Sequence, residues 1–496
     1  MSGESIDSHM WAHQSHFRAS VATALEQVLE ELGLPAKPVV LLLGLSRSAG
    51  TGPHVCVEPE EGSLAPGDLD GLLGTAQALG STDPVIGVPL SGGRGRGQDE
   101  QGAHDGAVAQ AIGELLEARV GGRFFVALPT LIEQHRVYTA IGLPAATVEK
   151  APSLSASAQR TDRHIVITDS LLKGALAEVL RLASRALYEP DPGSSPAIGI
   201  EARAVAIAAG QALTQSAVFL ATERPSSSFF EAMNEVSTAL YEKRAGVGRL
   251  IVADRGSAKI DASLILQDVV GVTSTRTMRK LLETSSRDGA GLLTDGSVAF
   301  GLGSIAVGHD PASRSVFEVV VSGPGTWDLR HAGIPLMDVR FGTPHLPEER
   351  LSRARFEDVT RRVFHSGGVD VEALWGLATA AAEAEHGTML VVSAAAVAEA
   401  KRLSGQALTV LPTRASAELV RQVTGIDGAV LVDPNAALAA FGVILDGSAS
   451  SDGKRSRGAR FNSALRYLGS VANDIPTMIV LVSEDGMLNI LPDLRP

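Results

Sequence analysis

Apolar residues fall at helical spacing from Phe17 to Leu34, with Gly33 as the stop, and predict an amphipathic helix. Val39 to Leu45 is a short Val/Leu run that predicts a buried strand. Ser91 to Gly106 mixes Gly, Arg, Asp and Gln and reads as a loop. Arg123 to Leu128 predicts a strand. His164 to Thr168 predicts another, with a helix following at Leu171 to Leu187. Tyr188 to Pro196 carries three prolines and a Gly-Ser-Ser, the composition of a linker or long loop. A long Ala-rich helix follows to about Leu220, so residues 1–225 form an α/β region. Two Gly-rich stretches there are plain loops by their context. Gly44 to Gly52 lacks the Gly-Lys-Ser/Thr ending of a phosphate loop, and Gly93 to Gly97 has no strand before it and no helix after it.

The second half repeats itself. Gly248-Arg249-Leu250-Ile251-Val252 and Gly387-Thr388-Met389-Leu390-Val391 are similar strand starts, and 40 residues after each Gly comes an Asp-Gly-Ala, at Asp288 and at Asp427. The common offset of 139 continues through Gly303 and Gly442, Ile305 and Ile444, and Gly308 and Gly447. In the later copy, Val371 to Glu385 predicts a helix, Thr388 to Val392 a strand and Thr413 to Val423 a helix ending before Gly425. Strands at Ala429 to Val432 and Leu438 to Leu445 flank an Asp-Pro-Asn turn, and Met478 to Leu491 forms a hairpin. The pattern is a mixed sheet with helices packed on it. Glu348 to Arg362, charged and helical in pattern, would link the copies.

Composition narrows the function. With 45% hydrophobic and 20% charged residues in 496, the chain is folded protein of about three domains. A net charge of −13 argues against a nucleic-acid or anionic-membrane partner, leaving room for a small anion in a local basic pocket. One cysteine, Cys56, excludes an internal disulfide framework and a multi-thiolate zinc site. The longest apolar run, Ala204 to Thr222, is broken by Gln211, Thr214 and Gln215 and reads as a buried helix rather than a membrane span. Met1 to His16 has no apolar signal core, so the cytoplasm is the expected compartment.

The two copies part after Gly447. The later one enters a Ser/Asp/Gly/Lys/Arg loop and then a helix from about Ala459 to Val471, so Lys454, Arg455, Arg457, Arg460 and Arg466 cluster in an acidic protein. A Gly-rich basic loop leading into a helix N-terminus suits a phosphate chain; a solvated loop is the bland reading. At the same offset the earlier copy has Ser315 to Ser322, a strand-like run, and Arg330-His331 sits in another strand-like context. The earlier copy keeps its Asp without the cradle.

Residues 371–496 resemble the diadenylate cyclase (DAC) domain. The matching features are the Gly-Thr-Met-Leu-Val-Val strand, Ile426-Asp427-Gly428-Ala429, the Leu438 to Leu445 strand, Gly458-Ala459-Arg460-Phe461-Asn462-Ser463, and Ile479 to Gly486. The family's Asp-Gly-Ala is intact, whereas its Arg-His-Arg reads Arg460-Phe461-Asn462. The resemblance implies a C-terminal DAC-type mixed sheet flanked by helices (371–496) behind a linker helix (346–370). It implies a degenerate copy of the same unit at 226–345, and a sensor-like α/β region at 1–225.

The resemblance further implies that two ATP condense into cyclic di-AMP with loss of pyrophosphate, in a homo-oligomer whose sites face each other. Asp427 would hold Mg2+ or Mn2+, with Asp427, Gly428, Ala429 and Arg460 as the catalytic set. Gly428 would let backbone approach the nucleotide. Gly442, Arg457, Gly458, Ala459, Phe461, Asn462, Ser463, Ser483 and Glu484 would contact it. Losing a His and an Arg weakens the triphosphate grip, so a nucleotide-binding pseudoenzyme that senses ATP or a cyclic dinucleotide is the alternative. A ligand-free oligomerisation module is a third reading.

Overall fold

The computed structural model describes residues 10–46, 55–59, 64, 96–154, 167–195, 199–241, 247–285, 289–347, 353–365, 368–382, 387–446, 459–471, 474–482 and 488–492. The chain divides into two compact units, Met1–Pro347 and Glu348–Pro496. Both are α/β, with mixed or antiparallel sheets flanked by helices.

The first unit opens with α1 (Gln14–Glu31), whose buried Phe17, Val21, Leu25, Val28 and Leu29 recur every three or four residues. Next come β1 (Val39–Ser46), β2 (Val55–Glu58), α2 (Arg96–Arg119), β3 (Arg123–Val126), β4 (Thr130–Ile132) and β5 (His135–Leu143). They form an antiparallel sheet ordered β2-β1-β5-β3, with β4 also on β5. Helix α2 corrects the loop expected at 91–106. Val108, Ile112 and Leu116 pack on Leu41, Leu43 and Tyr138, and the helix extends back to Arg96. Extension of a nucleated helix adds one hydrogen bond per residue, which offsets the roughly 1 kcal/mol cost of each glycine.

The other face of this sheet is covered by α1 and, after α3 (Ala145–Lys150), by α4 (Leu171–Ala186) and α5 (Ala202–Thr222). Ser170 caps α4 by accepting from the Lys173 N–H at 3.2 Å. The strand expected at 164–168 lies mostly outside the described residues, and Ile167 and Thr168 are not in a strand. Helix α5 is long and apolar enough to cross a membrane, but 61% of that window is buried inside the unit, as a core helix requires.

After α6 (Phe229–Thr238) the chain builds a second sheet from β6 (Gly248–Val252), β7 (Ile260–Gly271), α7 (Thr275–Leu282), β8 (Gly291–Thr294), β9 (Val298–Ile305), β10 (Phe317–Gly323), β11 (Thr326–His331), β12 (Ile334–Arg340) and β13 (Thr343–His345). Its order is β13-β12-β11-β10-β6-β8-β9-β7.

The second unit contains α8 (Arg353–Val363), α9 (Val371–Ala382), β14 (Thr388–Ser393), α10 (Ala396–Arg402), β15 (Leu408–Arg414), α11 (Ala417–Val423), β16 (Ala429–Val432), β17 (Ala437–Val443), α12 (Ala459–Val471), β18 (Thr477–Val482) and β19 (Leu488–Leu491). The order β15-β17-β16-β14-β18-β19 reproduces β7-β9-β8-β6-β10 of the preceding sheet. The senses also match. The pairs β6/β8 and β14/β16 are parallel, and their flanking pairs are antiparallel. Helices α8, α9 and α11 cover one face, and α10 and α12 the other. The helix expected from Thr413 starts later, at Ala417. Thr413 and Arg414 stay extended in β15, paired with Leu438 and Ala437 of β17, and the Ser416 hydroxyl caps the start by accepting from the Leu419 N–H at 3.1 Å.

Candidate functional site

A corner forms at one end of the second unit's sheet, where β16 starts, β17 ends and α12 begins. A turn after α11, closed by the Ile426 N–H on the Val423 carbonyl at 3.2 Å, feeds the chain into β16. Strand β17 returns with Val443 opposite Ala429. Gly428 has φ +123°, and a Cβ on it would lie 2.5 Å from the carbonyl carbon of Gly442 and 2.8 Å from its Cα. The Cβ side of Gly428 is therefore filled by the backbone of Gly442, itself left-handed at φ +61°. Ala429 is fully buried against Met389, Leu431 and Ala440, so its side chain belongs to the core.

Two of the expected residues meet at this corner. Arg460, the second residue of α12, donates from Nη2 to Asp427 Oδ1 at 3.1 Å. The Asp427 side chain is 88% exposed and that of Arg460 31%. An ion pair this open is worth only about 0–1 kcal/mol, so an incoming ligand can part it at little cost. Phe461 packs against the core under α12, and the Ser463 hydroxyl donates to the Leu445 carbonyl at 3.4 Å. Asn462 is half-buried and Ala459 opens the helix. Arg457, Gly458, Ser483 and Glu484 lie outside the described residues, as do Lys454 and Arg455.

Sequence reasoning missed what positions α12. The Glu399 carboxylate on α10 is 5% exposed. It accepts from Arg402 at 2.8 to 3.2 Å and from the Tyr467 hydroxyl of α12 at 2.9 Å. Arg402 also holds Asp446, just past β17, through two bonds of 2.6 and 2.9 Å. These contacts tie α10, the end of β17 and α12 together two helical turns from Arg460. The Arg402 guanidinium holds Glu399 and Asp446 below the ordinary carboxylate range. Hydrogen bonds to the two carboxylates raise Arg402, and burial, then the Glu399 bond, raises Tyr467. The signal in the sequence was the i, i+3 spacing of Glu399 and Arg402 on a short helix.

Arg249 stands at the matching corner of the first unit. Asp288 lies outside the described residues, but Arg249 donates to the Gly289 carbonyl at 2.8 Å and to Glu318 of β10 at 3.0 Å. No helix like α12 intervenes between β9 and β10. Among the described residues no group of three His, Cys, Asp or Glu could hold a metal ion.

Comparison with known proteins changes the reading of the chain. Residues 10–214 match the family model described as probable sensor domain DACNG, and residues 227–333 match that described as probable sensor domain DACNH. These matches overturn the expectation that the chain is a diverged diadenylate cyclase family member with Arg-Phe-Asn in place of Arg-His-Arg. Both models describe sensor domains of DAC-containing proteins, and neither describes the catalytic domain. The physical reason is that the two sheets share one topology. The Gly-initiated strand and the Asp-Gly-Ala sequence occur in both copies, including the part matched by a sensor model, so they do not by themselves mark a catalytic domain. Among curated proteins none matches the chain. One solved structure, a hypothetical membrane spanning protein from Bacillus cereus, is 20% identical with a TM-score of 0.22. The match covers 27% of this chain and 66% of that one, so the chain spans just under two thirds of its length.

Proposed function

We propose that the first unit senses a signal and that the second unit answers it as a nucleotidyltransferase, condensing two ATP into cyclic di-AMP with release of two pyrophosphates. The observation that carries this reading is the meeting of Asp427 and Arg460 at the start of α12. A cation beside a helix N-terminus is a phosphate site, and an exposed carboxylate next to it suits the metal that accompanies a triphosphate. The sensor-domain types matched upstream supply the diadenylate cyclase context. The second unit's mixed sheet would then serve as a DAC-type catalytic frame.

In this reaction the 3′-hydroxyl of each ATP attacks the α-phosphorus of the other, and each pyrophosphate leaves. Arg460 and the first-turn N–H groups of α12 orient the phosphates, and Asp427 is the carboxylate that would hold a divalent ion accompanying them. Mg2+ or Mn2+ bound with the nucleotide supplies charge neutralisation. One site serves one ATP, so turnover requires two chains facing each other. The second reading is a nucleotide sensor without turnover. It is favoured by Phe461, whose ring is committed to the core where a phosphate-binding side chain would be needed.

The test is to incubate the full chain with ATP and Mg2+ or Mn2+ and to identify products by mass spectrometry. Cyclic di-AMP supports the enzyme. Binding of ATP with no cyclic or linear dinucleotide supports the sensor and removes the enzyme.

A further inference from the structure

The chain's single cysteine sits in an unusual place. On β2, Cys56 is directly opposite Gly44 of β1, and Gly44 is opposite Val137 of β5 on its other side. Directly opposite residues share a face of a sheet, and His135 is two residues from Val137, so Cys56 and His135 also share that face. Between them stands only Gly44, which has no side chain. Cys56 Sγ and His135 Nε2 consequently meet at 3.7 Å across an intervening strand. The volume over Gly44 is taken by Met10. A Cβ on Gly44 would collide with Met10 Sδ, and would lie 2.9 Å from Met10 Cγ and 3.5 Å from His135 Cβ. Met10 and Cys56 are each 1% exposed. The other ring nitrogen of His135, Nδ1, is buried and has no hydrogen-bond partner.

We propose that Cys56, His135 and Met10 form a binding site for a soft monovalent cation, Cu(I), in the first unit. A thiolate, a thioether and an imidazole are the donor set that soft metals select, and a thioether contributes little to Mg2+ or Zn2+. Two donors on one ion, with metal–sulfur near 2.3 Å and metal–nitrogen near 2.0 Å, stand about 3.4–3.7 Å apart, the spacing observed. Charge selects the oxidation state. Cys56 as thiolate carries −1, so a monovalent ion leaves a neutral buried centre, whereas a divalent one leaves a buried +1 that the low dielectric penalises. The site lies within the segment matched by the DACNG sensor model, which begins at Met10 itself. Cation binding would fasten the segment before α1 onto the sheet. Trp11 in that segment already donates from Nε1 to the Pro192 carbonyl at 2.8 Å.

The test is anaerobic competition of the reduced full chain against a chromophoric Cu(I) chelator. The expected result is one Cu(I) per chain, lost in Cys56→Ser and weakened at least about tenfold in Met10→Leu. Leu nearly conserves the volume of Met, so Met10→Leu keeps the fold, which its melting temperature verifies. His13→Ala/His16→Ala should bind as the parent does, which separates the buried site from surface histidines. The proposal is overturned if the parent chain takes no Cu(I). It is equally overturned if Cys56→Ser binds as tightly as the parent, or if Met10→Leu melts and binds unchanged.

Discussion

Gly428→Ala is the sharpest perturbation of the corner. The residue's φ of +123° is one that L side chains rarely adopt, which costs about 1–3 kcal/mol. Its new Cβ would also stand 2.5 to 2.8 Å from three backbone atoms of Gly442 and Val443. No side-chain rotation relieves a backbone clash, so β17 must move away from β16, at a further cost of about 1–3 kcal/mol. The expected loss is ~4 kcal/mol, or ~8–16 °C in the transition of the second unit at roughly 2–4 °C per kcal/mol. Gly442→Ala is the control. Its φ of +61° lies in the left-handed well, and its nearest neighbour is a movable methyl of Ile426 at 3.2 Å. It should cost about 1–2 kcal/mol. Differential scanning calorimetry without nucleotide measures both. If Gly428→Ala melts within ~2 °C of the parent, or if Gly442→Ala is the more damaging, the strand-closure argument is wrong. The room at Gly428 would then serve a ligand instead.

Three further outcomes follow from the same contacts. Tyr467→Phe removes one hydrogen bond to the buried Glu399 carboxylate and should destabilise the second unit by about 1.5–3 kcal/mol, read by chemical denaturation. Glu399 and Asp446 titrate below their ordinary ranges when folded, so their contribution is fully present above about pH 4.5. It is lost as pH falls through the folded values, and Glu399→Gln should flatten that acid limb of the melting-temperature profile. Ser416→Ala deletes the cap of α11 and should cost about 1 kcal/mol in the same denaturation assay.

Strands β5 and β7 were not anticipated, whereas β1, β6, β14, β16 and β18 were legible because their Val, Leu and Ile runs are buried and bounded by glycine or turns. Strand β15 was not. Its exposed Leu408, Leu411 and Pro412 belong to a sheet edge, where neither burial nor alternation leaves a pattern, and the helix signal of Ala417 to Val423 was extended back over it. Helix α2 was hidden by glycines that its packed half carries along. That Asp427 and Arg460 lie close together was expected from the resemblance to the DAC domain, which placed both in one catalytic set. Of the Glu399–Arg402–Asp446–Tyr467 network only the i, i+3 pair Glu399 and Arg402 left a signal, since Asp446 and Tyr467 join it from 44 and 68 residues away. The likeness of residues 10–214 and 227–333 to probable sensor domains rests on no short motif singled out in the sequence.

The central claim is that Asp427 and Arg460 serve one nucleotide. Its most direct measurement is calorimetric titration of the parent, Asp427→Asn, Arg460→Gln and the double variant with ATP, with and without Mg2+. The account predicts that Arg460→Gln weakens ATP binding about 10- to 100-fold under both conditions. Asp427→Asn should weaken it only when Mg2+ is present, and the two losses should be non-additive. Equal ATP affinity in all four proteins would contradict the account.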